Sequence, residues 1–372
     1  MFAPQIPSAR IMYRGCVLVV SGVSFLVRLC GRLLLVGALA AASACGGGGG
    51  GVGTPQMDMS QGPTPAAGSA ILAPPTLSFT DTGLSVSDGV TRTGLWDVSS
   101  SDGLGWEYSL DFGKSWSRGT GDSFEVMGDG QKTIWVRARD DLGNTSEIVV
   151  AKCMLDTMAP APVAAVSAGS QLLRQLSIQG IEPNARWEFS IDQGRSWLSG
   201  GGDSLGVAGN ALPSLWLRQT DVAGNRSAPV AIDLGGPGLG WVEASGSSLM
   251  PTPIGSLKQW VLLHGEVVAG DADYFSIEIP SGFQLRSVSF VGYDSVDKIA
   301  FFAIQQKAIF DAGFDTGKML AFGHFGPSDL GRNVVANAAP TGLGPGPLTF
   351  WVQQTGQLVT RYALLLAIEP AT

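Results

Sequence analysis

From about residue 75 onward, apolar and polar positions alternate in short runs separated by Gly, Pro, Asp and Asn. The segments 106–110, 134–137, 187–191 and 215–218 all follow this pattern. A period of two sends successive side chains to opposite faces, so each run reads as a strand with one buried and one wet face. Asp111-Phe-Gly113-Lys114 and Asp192-Gln-Gly194-Arg195 read as tight hairpin turns, with the glycine at positive φ. Asp140-x-x-Gly143-Asn144 and Asp221-x-x-Gly224-Asn225 read as turns in which Asp and Asn bond their own backbone.

These elements recur at a constant offset. Trp106-Glu-Tyr-Ser-Leu-Asp-x-Gly-Lys-Ser-Trp116 returns 81 residues later as Trp187-Glu-Phe-Ser-Ile-Asp-x-Gly-Arg-Ser-Trp197. Gly121-Asp122-Ser123 maps onto Gly202-Asp203-Ser204, and Trp135-Val-Arg137 onto Trp216-Leu-Arg218. A period this regular is a small domain used twice, with the paired tryptophans supplying much of each core. The boundaries fall at 74–156 for the first repeat and 157–234 for the second, each a small β-sandwich.

Beyond Gly235-Gly-Pro-Gly-Leu-Gly240 the repeat stops. Pro237 and the lack of a strand-then-helix context make this glycine run part of a linker, 235–254, rather than a nucleotide loop. Alternating runs resume at 260–263, 274–279, 285–291, 299–304, 348–352 and 362–368, and predict a third, jelly-roll-like sandwich over 255–372. The fold class is therefore all-β, with two tandem β-sandwiches followed by a third.

Composition supports this reading, since 52 Gly and 21 Pro with 15% charged residues suit strands and turns. Residues 1–44 hold four Arg and no acid, which leaves 19 basic against 31 acidic side chains, a net charge of −12. That balance argues against nucleic acid as a partner and is compatible with cations. Cys16 and Cys30 lie in the leader, so Cys45 and Cys153 provide no disulfide framework, and Cys153 reads as a small buried hydrophobe.

Arg28 and Arg32 precede Leu33-Leu-Leu-Val-Gly-Ala-Leu-Ala-Ala, an apolar core of signal-peptide length. Ala42-Ser43-Ala44-Cys45 follows, and then six Gly. This resembles the lipobox of bacterial lipoproteins, which implies lipidation of Cys45 and a mature chain beginning there. Ala42-x-Ala44 equally suits ordinary signal peptidase, which would cut at the same bond. Translation starts at Met1 or Met12. Gly46 behind the cysteine resembles the outer-membrane sorting pattern of a Gram-negative cell. The segment 45–73 is a Gly- and Pro-rich flexible tether.

The repeats, with Asp156-Thr-Met-Ala-Pro160 between them, resemble bacterial immunoglobulin-like domains of tandem surface proteins and adhesins. Some such repeats hold calcium near domain junctions. The resemblance nominates Asp140, Asp156 and Asp221 for a calcium site, with Asn144 and Asn225 as neighbours. The alternative is that Asp140 and Asp221 simply close a turn, because each turn offers two or three oxygens and calcium takes six to eight. Asp271-Ala-Asp273-Tyr-Phe-Ser-Ile277, Ile279-Pro280-Ser-Gly282 and Phe350-Trp-Val-Gln-Gln-Thr-Gly356 resemble the pre-peptidase C-terminal domain of secreted bacterial proteins. Asp271 and Asp273 are calcium candidates, but a solvated loop before a strand is the expected reading.

His324 with Asp329 is the most site-like pair, but no nucleophile motif accompanies it, so the chain is expected not to be an enzyme. The expected function is that of a lipid-anchored envelope or surface protein in adhesion, binding or spacing. Its partners would be the membrane, through the anchor, and a surface protein or glycan. The alternative is a glycan-binding or enzyme-accessory role for the C-terminal domain, with Trp241, Trp260 and Trp351 as sugar-stacking candidates, although Trp351, in a strand, reads more readily as core.

Overall fold

A computed structural model describes residues 72–100, 104–168, 172–209, 212–235, 243–297 and 299–371. The leader, Cys45, most of the tether and Trp241 lie outside the described residues. The fold is all-β, and among the described residues no helix is long and apolar enough to cross a membrane. The chain divides into two compact units.

The first unit comprises the described residues up to Phe79 together with Leu95–Met127 and Gln131–Cys153. One sheet pairs Thr76–Phe79, Leu95–Ser99 and Ser123–Glu125 in antiparallel order. The other runs through Ser117–Arg118, Gly105–Ser109, Gly130–Arg139 and Val149–Leu155. Ile134, Val136 and Ala138 are buried, whereas their neighbours Trp135 and Arg137 face the other side of the sheet. Between the sheets lie Leu77, Trp96, Val98, Trp106, Val126, Ile134, Val136 and Cys153. Cys153 is a buried free thiol, as its strand context implies.

The second unit holds Thr80–Gly94, Gly128–Gly130 and Met154–Thr372. Its repeat sandwich has one sheet of Leu198–Ser199, Arg186–Ser190, Ser214–Thr220 and Val230–Asp233. The facing strands, Val163–Ala168, Leu173–Gln179 and Ser204–Gly209, do not end the other sheet. Ser204–Gly209 pairs in parallel with Val261–Val267, from Gly206 opposite Val261 to Gly209 opposite His264. Thr360–Pro370 and Phe283–Asp294 then complete a six-stranded sheet. Gly209 makes the close approach necessary, because a Cβ on it would lie 1.7 Å from the His264 carbonyl oxygen. Leu262 and Ala363 from this sheet belong to the same core as Trp187, Phe189 and Leu217.

The opposing C-terminal sheet runs Thr252–Ser256, Ala272–Ile279, Gly346–Gln354, Ala300–Gln305, Ala321–Phe325. All six alternating runs of the C-terminal segment are strands. Two strands escape the alternation argument. Thr252–Ser256 contains Pro253 and a bulge next to Gly255, and Ala321–Phe325 is interrupted by Gly323.

Thr80–Gly94 lies in the second unit although it precedes the first repeat's main strands. Val90 and Thr91 pair in parallel with Met154 and Leu155. The Leu84 amide donates to the Val222 carbonyl at 3.0 Å, and the Thr82 hydroxyl to the Ala223 carbonyl at 2.9 Å. Gly83 sits where a Cβ would fall 2.0 Å from the Val222 carbonyl oxygen. The 221–225 turn is thus covered by this early segment.

Candidate functional site

The repeated residues serve the fold at most positions. Trp106 and Trp187 are buried, and each Nε1 donates to a carbonyl of the second repeated motif, Gly121 or Gly202, at 2.8 Å. The later tryptophan of each pair is not core. Trp116 and Trp197 lie half-buried on the outer face, under the guanidinium groups of Arg137 and Arg218 at 3.8 and 3.9 Å.

The Asp111 and Asp192 turns sit inside wider loops, since Tyr108 pairs with Ser117 and Phe189 with Leu198. Phe112 and Gly113 both take positive φ, as do Gln193 and Gly194. Side chains hold this geometry. Asp111 accepts from the Ser115 hydroxyl at 2.6 Å and the Ser109 hydroxyl at 2.8 Å. These bonds, that from Ser115 foremost, lower the Asp111 pKa from 3.8 to about 2.

The three nominated calcium residues separate. Asp140 belongs to the first unit, where Oδ1 accepts the Asn144 amide and Oδ2 the Asn144 side-chain amide, both at 2.7 Å. It is half-buried, the Asn144 side chain holds its carboxyl below the usual range, and its geometry is that of a turn-closing residue. Asp156 and Asp221 come together in the second unit, and Glu182 joins them. A carboxylate oxygen of each lies within 4.8 Å of the others. Sequence reasoning missed Glu182. It lies in the loop between two strands, and its counterpart 81 residues earlier is Ser101, so the repeat gave no signal.

The Asp221 turn also differs from its copy. Asp221 is 1% exposed and accepts from the Asn225 amide at 2.8 Å and its side chain at 2.7 Å. Asn225 then donates to the Asp156 carbonyl at 2.7 Å, tying the inter-repeat linker to the turn. Glu182 is positioned by its amide, which donates to Gln219 Oε1 at 3.0 Å. Gln219 donates in turn to the carbonyls of Pro160 and Gly180. Burial, then Asp156 and Asp221, push the Glu182 carboxyl up, and its Oε2 is buried without a partner. Three carboxylates converging around a buried unsatisfied oxygen are a chemistry suited to Ca²⁺.

The His324–Asp329 pair does not form. His324 is exposed on an edge strand with its ring against Phe301, whereas Asp329 accepts from the Gly326 amide and from Arg332. Among the described sugar-stacking candidates, neither tryptophan is fully exposed, and Trp351 is core as its strand position implies. Trp351 is 4% exposed in a satellite core, and Trp260 packs against the second repeat's core.

No protein-family model matches the chain, and no curated protein is similar to it. Among solved structures, it is similar to the fibronectin(III)-like modules of Clostridium thermocellum CbhA (12% identity, 42% of this chain and 90% of that one, TM-score 0.27). It is also similar to a two-domain fibronectin type-III segment of chicken tenascin (16% identity, 44% and 99%, TM-score 0.22). A third likeness is to carbohydrate-binding modules of the β-sandwich superfamily (10% identity, 80% and 98%, TM-score 0.21). Superpositions this loose identify no function, and the β-sandwich character rests on the chain's own sheets.

Proposed function

We propose that the chain is an exported protein, lipid-anchored at Cys45, that acts at the cell envelope or surface in adhesion, binding or spacing. The observation that carries this reading is the six-stranded sheet joining the second repeat to the C-terminal sandwich. It is a continuous backbone-bonded joint, of the kind that presents a terminal domain without relying on a flexible hinge. The repeated Trp, Gly, Ser and Asp residues support the same reading, because they build cores and turns and assemble no catalytic group.

Within this reading, Asp156, Glu182 and Asp221 hold a calcium ion where the inter-repeat linker meets the 221–225 turn. The acidic balance of the chain favours cations and disfavours nucleic acid. The sequence of residues 33–45 supports export and the anchor. The test is protease treatment of intact cells, followed by detection of residues 237–372. Loss of signal without lysis supports the surface form, and loss only after the outer membrane is breached supports an envelope protein facing the periplasm. Signal that survives protease until the inner membrane is opened overturns the proposal.

A further inference from the structure

Val163–Ala168 lies at one edge of the six-stranded sheet. On its inner side it pairs with Leu173–Gln179, from Val163 opposite Gln179 to Ala168 opposite Arg174. In an antiparallel pair, alternate residues turn their amide and carbonyl groups away from the partner strand. On the outer side of 163–168 these groups form no backbone hydrogen bond with any other described residue. Such a row is a template for a further extended chain.

The other edges among the described residues are blunted. Six edge strands are no longer than four residues. Thr252–Ser256 carries Pro253 and a bulge, and Ala321–Phe325 is interrupted by Gly323. Phe283–Asp294, at the far edge of the six-stranded sheet, has two register shifts and is bridged by Leu343 and Asn333. Short length, proline, bulges and coverage are the devices that stop edges from pairing. Val163–Ala168 has none of them. Its six residues, Val-Ala-Ala-Val-Ser-Ala, hold no charge, no proline and no register shift.

We propose that Val163–Ala168 is a self-association edge, through which a second copy of this chain adds its own Val163–Ala168 in antiparallel order. The side-chain pattern selects this occupant. Ala164 and Val166 pack against the second repeat's core, whereas Val163, Ala165 and Ser167 are exposed. Opposed residues in a sheet share a face, so a partner strand must set core-facing residues against 164 and 166. The segment 163–167 does this for its own copy about a twofold axis at Ala165. Ala165 then faces Ala165 of the second copy, Val163 faces Ser167, and Ala164 faces Val166. No like charges meet across this edge, although the chain carries a net charge of −8. Strands this short form a contact at the small end of specific interfaces, so the dimer is weak and concentration-dependent. The contact needs no lipid anchor at Cys45.

The experiment is sedimentation velocity of the purified full chain over a concentration series, for the wild type, Ala165→Lys and Ala165→Glu. Residue 165 is exposed, so both variants keep the fold, which an unchanged melting temperature checks. Each variant sets like charges directly opposite one another across the paired edge. The wild type is expected to show a monomer–dimer equilibrium, weakened about 10-fold or more in either variant. Mixing the two variants in equal amounts is expected to restore dimers, because Lys then faces Glu. A wild type that stays monomeric at every concentration would overturn the proposal. So would a dimer indifferent to both substitutions, or one that the mixture does not restore.

Discussion

At the scale of single residues, much of the repeated motif explains itself through close contacts. Gly119 and Gly200 lie 81 residues apart, and a Cβ on either would sit 2.3 Å from the ring of Trp106 or Trp187. Gly119→Ala and Gly200→Ala are each expected to cost about 1–3 kcal/mol through overpacking, read as a lower melting temperature. Unchanged melting in both would contradict this packing. The Asp111 loop gives a pH prediction. Its folded pKa lies below the unfolded value, so its contribution is present above about pH 4 and is lost as pH falls through about 2. Ser115→Ala should move the Asp111 pKa, followed by NMR, back toward 3.8. The alternating runs exposed the core tryptophans. Asp273 lies buried in the strand Ala272–Ile279 and not in a solvated loop. Its burial was hidden, because its environment is set by Tyr362, 89 residues away, and by the 243–245 segment.

At the scale of elements, local periodicity identified many of the strands but could not reveal their partners. The strands Ser204–Gly209 and Val261–Val267 lie in what read as separate domains, and a parallel seam between them leaves no mark on the sequence pattern. The same limit hid the pairing of Val90–Thr91 with Met154 and Leu155. It also hid Glu182, which only the folded loop brings to Asp156 and Asp221. The seam makes a prediction. Leu262 is fully buried in the core of the second repeat although it lies in a strand of the C-terminal sandwich. Leu262→Ala should cost about 2–5 kcal/mol and lower one shared unfolding transition. Two transitions, with only one of them shifted, would show that the joint is not cooperative.

At the scale of the whole molecule, the proposed leader, anchor and tether precede folded β-sandwiches, two of them sharing a sheet. Most repeated side chains close a turn or fill a core, and Trp116 and Trp197 stack under Arg137 and Arg218 on the outer face, which suits a protein that positions and binds. Calcium removal by chelator should lower the melting temperature of the second unit, where Asp156, Glu182 and Asp221 converge, and leave the first unit's transition in place. The claim on which all the rest depends is export and anchoring at Cys45. The most direct measurement is the intact mass and N-terminal peptide of the protein purified from its own membranes. The account predicts a chain that begins at Cys45 and carries the added mass of lipid. A chain retaining residues 1–44, or one beginning at an unmodified Cys45, would contradict it.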